Sequence, residues 1–264
     1  MSTTTGGTMS EAILQVSDLS IRFGGVKALN GISFAVGAGQ ICGIIGPNGA
    51  GKTTLFNCLS RLYDANGGSI LFKGTPIGGV PRHRMAGLGI GRTFQNLALF
   101  GSMTVRENIM VGGHCHSRGG FLDAALQLGR FRRSEAALAR QADELMERLD
   151  LTAIAGLPVN RLTFATQKRV ELARALASQP DLLLLDEPAG GLNHEEVDDL
   201  RALIVAIRDR FRLTVLLVEH HLNLVMRVSD KVVAFDFGQK IAEGTPDEVR
   251  SNPDVIRAYL GGTA

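Results

Sequence analysis

The sequence predicts an α/β protein with a parallel-sheet core and a helical insert. Three observations predict it. The runs QICGIIG and DLLLLD are continuously apolar, the pattern of strands buried on both faces of a parallel sheet. Strands and helices alternate both early and late in the chain. Residues 96–160, between those regions, lack strand character.

Taken in order, MSTTTGGTMS has neither a basic nor an apolar signal region, so residues 1–10 read as a frayed tail before a domain at 11–264. Residues 13–45 read as strands, with ILQVSDLSIRF and ISFAV partly alternating and QICGIIG continuous. GPNGAGKTT leads into the helix KTTLFNCLSRLY, and GGSILFKG is a short strand between glycines. PRHRMAGLG is a short helix or turn opened by Pro81, and IGRTF is a strand. TVRENIMV precedes the amphipathic helix SEAALARQADELMERL, with Ser134 expected as its N-cap. A helix TQKRVELARALA from 166 leads to DLLLLD, and a further helix starts at about 194. LTVLLVEH, a short helix and the strand KVVAFD follow, and Pro246 and Pro253 punctuate the tail. The expected division is a core of about 11–95 and 176–264, with a helical subdomain of about 96–175.

At 264 residues the chain buries roughly 70–75% of its unfolded surface and needs no staples. Its 28 basic and 26 acidic residues are nearly balanced, which argues against general affinity for nucleic acid. Cys42, Cys58 and Cys115 form no metal spacing and point to a reducing compartment, the cytosol. No stretch approaches the ~20 apolar residues that cross a bilayer. The 45% hydrophobic content fits either a large core or an apolar surface that meets a partner. RFRR at 130–133 reads as a solvated surface or a contact for lipid head groups.

The chemistry begins at GPNGAGKT, Gly46 to Thr53, which fits G-x-x-x-x-G-K-[ST] between an apolar strand and a helix. Its glycines let backbone N–H groups turn inward around phosphate oxygens, and the helix N-terminus adds partial positive charge. Lys52 would reach the β- and γ-phosphates, and Thr53 would offer its hydroxyl to Mg²⁺. In such a protein the apolar strand LLLLDE places Asp186 beside the metal, and Glu187 can orient and deprotonate the attacking water.

GPNGAGKTT, the glutamine of RTFQN, QKRVELARAL, LLLLDEPAGGLN and LLVEHH stand in the order found in ATP-binding cassette (ABC) ATPases, which the chain resembles from about 11 to 262. FGGVKALNGISF, GIGRTFQN, EPAGGLN and the ending GTPDEVRSNPDVIRAYLG are similar, more narrowly, to ATP-binding subunits of branched-chain amino-acid importers, the LivG type. The resemblance implies a P-loop NTPase (RecA-like) parallel-sheet core with an antiparallel β subdomain and a helical subdomain. It implies ATP and Mg²⁺ as ligands, with Gly46, Pro47, Asn48, Gly49, Ala50, Gly51, Lys52, Thr53 and Thr54 around ATP. Phe23 matches the aromatic that stacks on adenine, though a core phenylalanine in a strand fits it too. Gln95 matches the glutamine that reaches Mg²⁺ and the attacking water, and His220 the switch histidine at the γ-phosphate. Asn193 matches the end of the loop that crosses to the partner ATPase, and NHEE equally suits it as a helix N-cap.

The implied assembly is a nucleotide-sandwich dimer with a second ABC ATPase, homo- or heteromeric, at the cytoplasmic face of the plasma membrane. Membrane permease subunits and an external substrate-binding protein complete it, and nucleic acid plays no part. LALFGSMTV, from Leu97 to Val105, is expected to dock a permease, or else to be core of the helical subdomain. Cargo could be branched-chain amino acids, or urea, amides or aromatic acids. A non-transport ABC ATPase is expected to carry two cassettes in one chain or a long coiled-coil insert, which this sequence does not show, and a small-molecule kinase would leave the glutamine, the signature-like helix and the switch histidine without purpose.

One segment departs from the family. Its signature reads close to LSGGQ, whereas this chain has LTFATQ, Leu162 to Gln167. Thr163 keeps the hydroxyl, Phe164 and Ala165 stand where glycines are expected, and Thr166 replaces the glutamine. If residue 165 needs a positive φ, alanine costs ~1–2 kcal/mol, and its β-carbon limits approach to a phosphate. The expectation is an asymmetric pair, in which this signature seals the partner's ATP weakly. The alternative is that the helix dipole and Thr163 suffice.

Overall fold

The computed structural model describes residues 12–93, 97–116 and 129–260. They form two compact units, one of residues up to 80 with those from 203 onward, the other of 81–202.

In the first unit, β1 (Ala12–Phe23) pairs antiparallel with both β2 (Val26–Gly37) and β4 (Gly67–Phe72), and β5 (Thr75–Pro76) edges β4. Leu14 and Val16, and past an irregularity at Asp18 Leu19 and Ile21, are the buried alternating pairs of β1. A second group of strands in this unit is more deeply buried, β10 at its edge excepted. β3 (Ile41–Ile45) lies parallel to β8 (Thr214–Val218) on one side and β9 (Lys231–Asp236) on the other. All five residues of β3 and of β8 are buried, which is why both read as uninterrupted apolar runs. β10 (Gln239–Gly244) pairs antiparallel with β9 at the edge of this sheet, and its polar sequence hid it from pattern reading. Helix α1 (Lys52–Leu59) follows β3. Beyond β10 the two prolines open helices, α7 (Pro246–Ser251) and α8 (Pro253–Leu260).

In the second unit, β6 (Ile90–Arg92) pairs parallel with β7 (Leu182–Asp186), whose five residues are all buried. Helices α2 (Val105–Gly113), α3 (Gly129–Arg148) and α4 (Phe164–Leu176) pack together. Thr104 and Glu107 form a capping box at the start of α2. Leu138, Ala142 and Leu145 recur at helical spacing as the buried stripe of α3, and Leu149 continues it one residue past the helix.

Two helix starts differ from expectation. α3 begins at Gly129, so Ser134 lies inside it and not at its N-cap. Arginine is a good helix former, and Arg132 and Arg133, both exposed, carry the helix N-terminally. α4 begins at Phe164, two residues before the expected 166, because the Thr163 side chain caps it. Helix α5 (His194–Phe211) continues from the second unit into the first, and α6 (Leu222–Val228) precedes β9. Among the described residues no helix is long and apolar enough to cross a membrane.

Candidate functional site

The glycine-rich loop leaves the buried end of β3. Gly46 has φ +152°, and a Cβ there would stand 2.3 Å from the Phe235 carbonyl oxygen, so only glycine fits. Gly51, at φ +100°, leads into α1 and offers it no side-chain cap. The first amides of α1 are therefore available to an anion. Lys52 is buried and lies back over the loop, its Nζ donating to the carbonyls of Gly46 at 2.6 Å and Pro47 at 2.9 Å. Asn48 and Gly49 are exposed, Ala50 is buried, and Thr53 and Thr54 occupy the first turn of α1 with Thr53 exposed.

Asp186 closes β7 and is 2% exposed. Arg92, at the end of β6 with its side chain 8% exposed, donates from Nη2 to Asp186 Oδ2 at 2.7 Å. Asp186 Oδ1 is buried and has no hydrogen-bond partner among the described residues. Burial pushes this carboxyl above its ordinary range, and the hydrogen bond and charge of Arg92 pull it back only in part. An unpartnered carboxylate oxygen such as Asp186 Oδ1 is a hard oxygen donor of the kind that suits Mg²⁺. Among the described residues no group of three or more His, Cys, Asp or Glu could hold a metal ion, and Mg²⁺ held by one or two side chains, water and phosphate needs none.

Glu187 follows with φ +49°, a left-handed conformation just before Pro188. Proline disfavours helical backbone in the residue before it, and such a conformation costs about 1–3 kcal/mol. The turn is closed by the Gly190 amide on the Glu187 carbonyl and the Leu192 amide on that of Ala189, both at 3.1 Å. Asn193 then caps α5: its Oδ1 accepts from the Glu196 amide at 3.0 Å, and its own amide donates to Glu196 Oε2 at 2.8 Å.

The signature segment opens α4. Thr163 Oγ1 accepts from the Thr166 amide at 3.3 Å and lies 2.8 Å from the Thr166 hydroxyl. The expected strain at Ala165 does not arise, because Ala165 sits in the first turn of α4 and is not among the positive-φ residues. Phe164 is 45% exposed, and its ring lies so close to Gly191 that a Cβ there would come within 2.9 Å of it.

His220 follows β8 and is exposed, its amide donating 3.0 Å to Oε2 of Glu219, which is buried. Phe23 ends β1 and is 47% exposed, meeting Tyr63 edge-on at 5.1 Å, so it is not a core residue. Gln95 lies outside the described residues. The 97–105 stretch divides: Val105 is buried, whereas Phe100 is 51% exposed. Fully buried Asn108 pins this stretch, with Oδ1 accepting from the Phe100 amide and Nδ2 donating to the Phe100 and Thr104 carbonyls.

Sequence reasoning passed over Arg92 and Glu219. Each lies within a quoted motif, GRTFQN and LLVEHH, but a charged residue next to the one singled out reads as a surface residue until its burial is known.

The family model for ABC transporter matches residues 29–190, and a model described as branched-chain amino acid ATP-binding cassette transporter matches 239–264. The high-affinity branched-chain amino acid transport ATP-binding protein BraF of Pseudomonas aeruginosa is 47% identical, over 96% of this chain and 99% of that protein. LivG of Escherichia coli, named for the same transport, is 42% identical, over 96% of this chain and 99% of that protein. A solved ADP conformation of an ATP-binding cassette of an ABC transporter superposes with TM-score 0.82 at 30% identity, covering 95% of this chain and 99% of that one. A nucleotide-free cassette superposes equally well, at TM-score 0.82 and 29% identity, covering 94% of this chain and 98% of that one.

Proposed function

This chain belongs to the ABC transporter ATP-binding family, and from that premise we propose that it hydrolyses ATP to drive import of branched-chain or other hydrophobic amino acids. The observation that carries the reading is the buried Asp186, with Oδ1 unpartnered among the described residues, directly before a Glu187 held at positive φ. A buried carboxylate oxygen without a hydrogen bond is costly in a structure with no use for it, and strained backbone concentrates where chemistry is done.

In this reading the loop amides and Lys52 bind the ATP phosphates, and Phe23 stacks on the base. Asp186, Thr53 and Gln95 hold Mg²⁺, which neutralises charge on the triphosphate. Glu187 takes the proton of the attacking water, and His220 donates to the γ-phosphate. Thr163, Phe164, Ala165 and Thr166 face the ATP of a second cassette, and Asn193 ends the loop that crosses to it. The permease partner docks around Phe100, between Leu97 and Val105, at the cytoplasmic face of the membrane, and a substrate-binding protein delivers cargo outside. Branched-chain cargo is supported by the names of BraF and LivG.

The test is Glu187→Gln. It binds ATP like the parent protein and loses turnover by ~10²–10⁴-fold, the usual contribution of a general base. Parental turnover in that variant refutes the assignment. In the assembled complex, leucine, isoleucine or valine on the cognate binding protein stimulates ATPase activity. Stimulation by urea, an amide or an aromatic acid alone would reassign the cargo.

A further inference from the structure

We propose that Tyr259, near the C-terminus, is a positioning residue for the phosphate loop, holding the peptide through which the loop leaves its strand. The proposal rests on the nucleotide-binding reading above and extends it to a segment that reading does not use.

The observation is a hydrogen bond across 213 positions of sequence: the Gly46 amide donates to the Tyr259 hydroxyl at 2.8 Å. Gly46 is the hinge of the loop. It stands one residue past β3, at φ +152°, pressed against the Phe235 carbonyl of β9. Its two backbone polar groups have different partners, the carbonyl taking Lys52 Nζ and the amide taking Tyr259. At its far end the loop is tied again, where the Gly238 amide of the β9–β10 turn donates to the Ala50 carbonyl at 3.1 Å.

Helix α8 aims the hydroxyl. Asn252 Oδ1 accepts from the Asp254 and Val255 amides and sets the first turn. Val255 is buried, and Tyr259 follows four residues later on the same face. α8 packs on β10, the partner of β9, so the helix and the loop share one support.

The two bonds at Gly46 differ in what nucleotide binding does to them. Lys52 must leave the Gly46 and Pro47 carbonyls to reach a phosphate. The amide of Gly46 faces Tyr259 and can stay bonded throughout. Tyr259 thereby keeps the hinge in its binding conformation while Lys52 changes partners. Without the hydroxyl, the loop samples other conformations and the apparent affinity falls with the competent fraction.

Tyr259→Phe in the full chain removes the hydroxyl and keeps the ring. Binding of MgATP is measured by calorimetry, and exchange of backbone amides around residue 46 by hydrogen–deuterium mass spectrometry. The expected result is faster exchange in the loop and a Kd about three- to tenfold weaker, the factor that a net hydrogen bond is worth. The ATPase KM rises by a similar factor with kcat within twofold, because Tyr259 touches no reacting atom. A Kd within twofold of the parent protein's overturns the proposal even if exchange quickens, since Tyr259 is then only structural. A parent protein that binds no MgATP overturns the nucleotide-binding reading itself, and the proposal with it.

Discussion

Replacing Arg92 with methionine exposes what the buried ion pair does for the fold. The substitution keeps an unbranched chain and removes the guanidinium that bonds Asp186 Oδ2 at 2.7 Å. Asp186 is 2% exposed and its Oδ1 already lacks a partner among the described residues, so no water replaces the lost donor. Breaking a buried pair by removing one partner costs about 3–5 kcal/mol, roughly a fifth or more of a typical domain's stability of about 5–15 kcal/mol. For a chain of this size that is a fall in Tm of roughly 6–20 °C. The protein has no tryptophan, so unfolding in urea is followed by circular dichroism at 222 nm. The loss also depends on pH. Burial already raises the Asp186 carboxyl, and losing Arg92 raises it further. An acid whose folded pKa lies above its unfolded value is destabilising when charged and is relieved by protonation. The deficit of Arg92→Met is therefore largest above the raised folded pKa and shrinks as pH falls toward the ordinary Asp range near ~4. Adding Asp186→Asn to Arg92→Met removes the stranded charge and recovers most of the loss. A deficit under ~1 kcal/mol, or one that does not change with pH, refutes the claim that Arg92 compensates a buried charge.

Three other outcomes follow from the same structure. Burial raises Cys42 to about 12 and Cys58 to about 11; partial burial raises the Cys115 thiol too, but Cys115 alone of the three is exposed, so a thiol reagent at neutral pH labels Cys115 before the other two in the native protein and all three cysteines after unfolding. Glu243 is partly buried, which alone would raise its pKa, but hydrogen bonds from Lys231 and Lys240 outweigh burial and hold it below the usual range. Its contribution is thus present above the ordinary Glu pKa and lost as pH falls through the lowered one; Glu243→Gln costs up to ~1 kcal/mol at pH 7 in urea denaturation, and a gap that persists below the lowered pKa rules this out. Ala165→Gly costs α4 about 1 kcal/mol of helix stability and, if the signature seals a partner's ATP weakly, raises turnover of the assembled ATPase pair; unchanged turnover and ATP affinity end the asymmetric reading.

Some of this protein is decided within short stretches of chain, and the sequence by itself determines that part. GPNGAGKT specifies its own loop, because the positive φ at Gly46 and Gly51 is a conformation that glycine adopts without strain. LLLLD specifies a strand buried on both faces and ending in an acid, and the caps at Thr104 and Asn193 are set by side chains three residues away. The tertiary structure alone decided which distant groups those stretches meet. Arg92 reads as one more strand residue until β6 pairs with β7 and brings it to Asp186, 94 positions on. Tyr259 reads as tail until α8 packs on β10 and its hydroxyl reaches Gly46. The physical reason is common to both. Backbone conformation and capping depend on a few adjacent residues, whereas desolvation and ion pairing depend on which side chains the fold brings within about 3 Å.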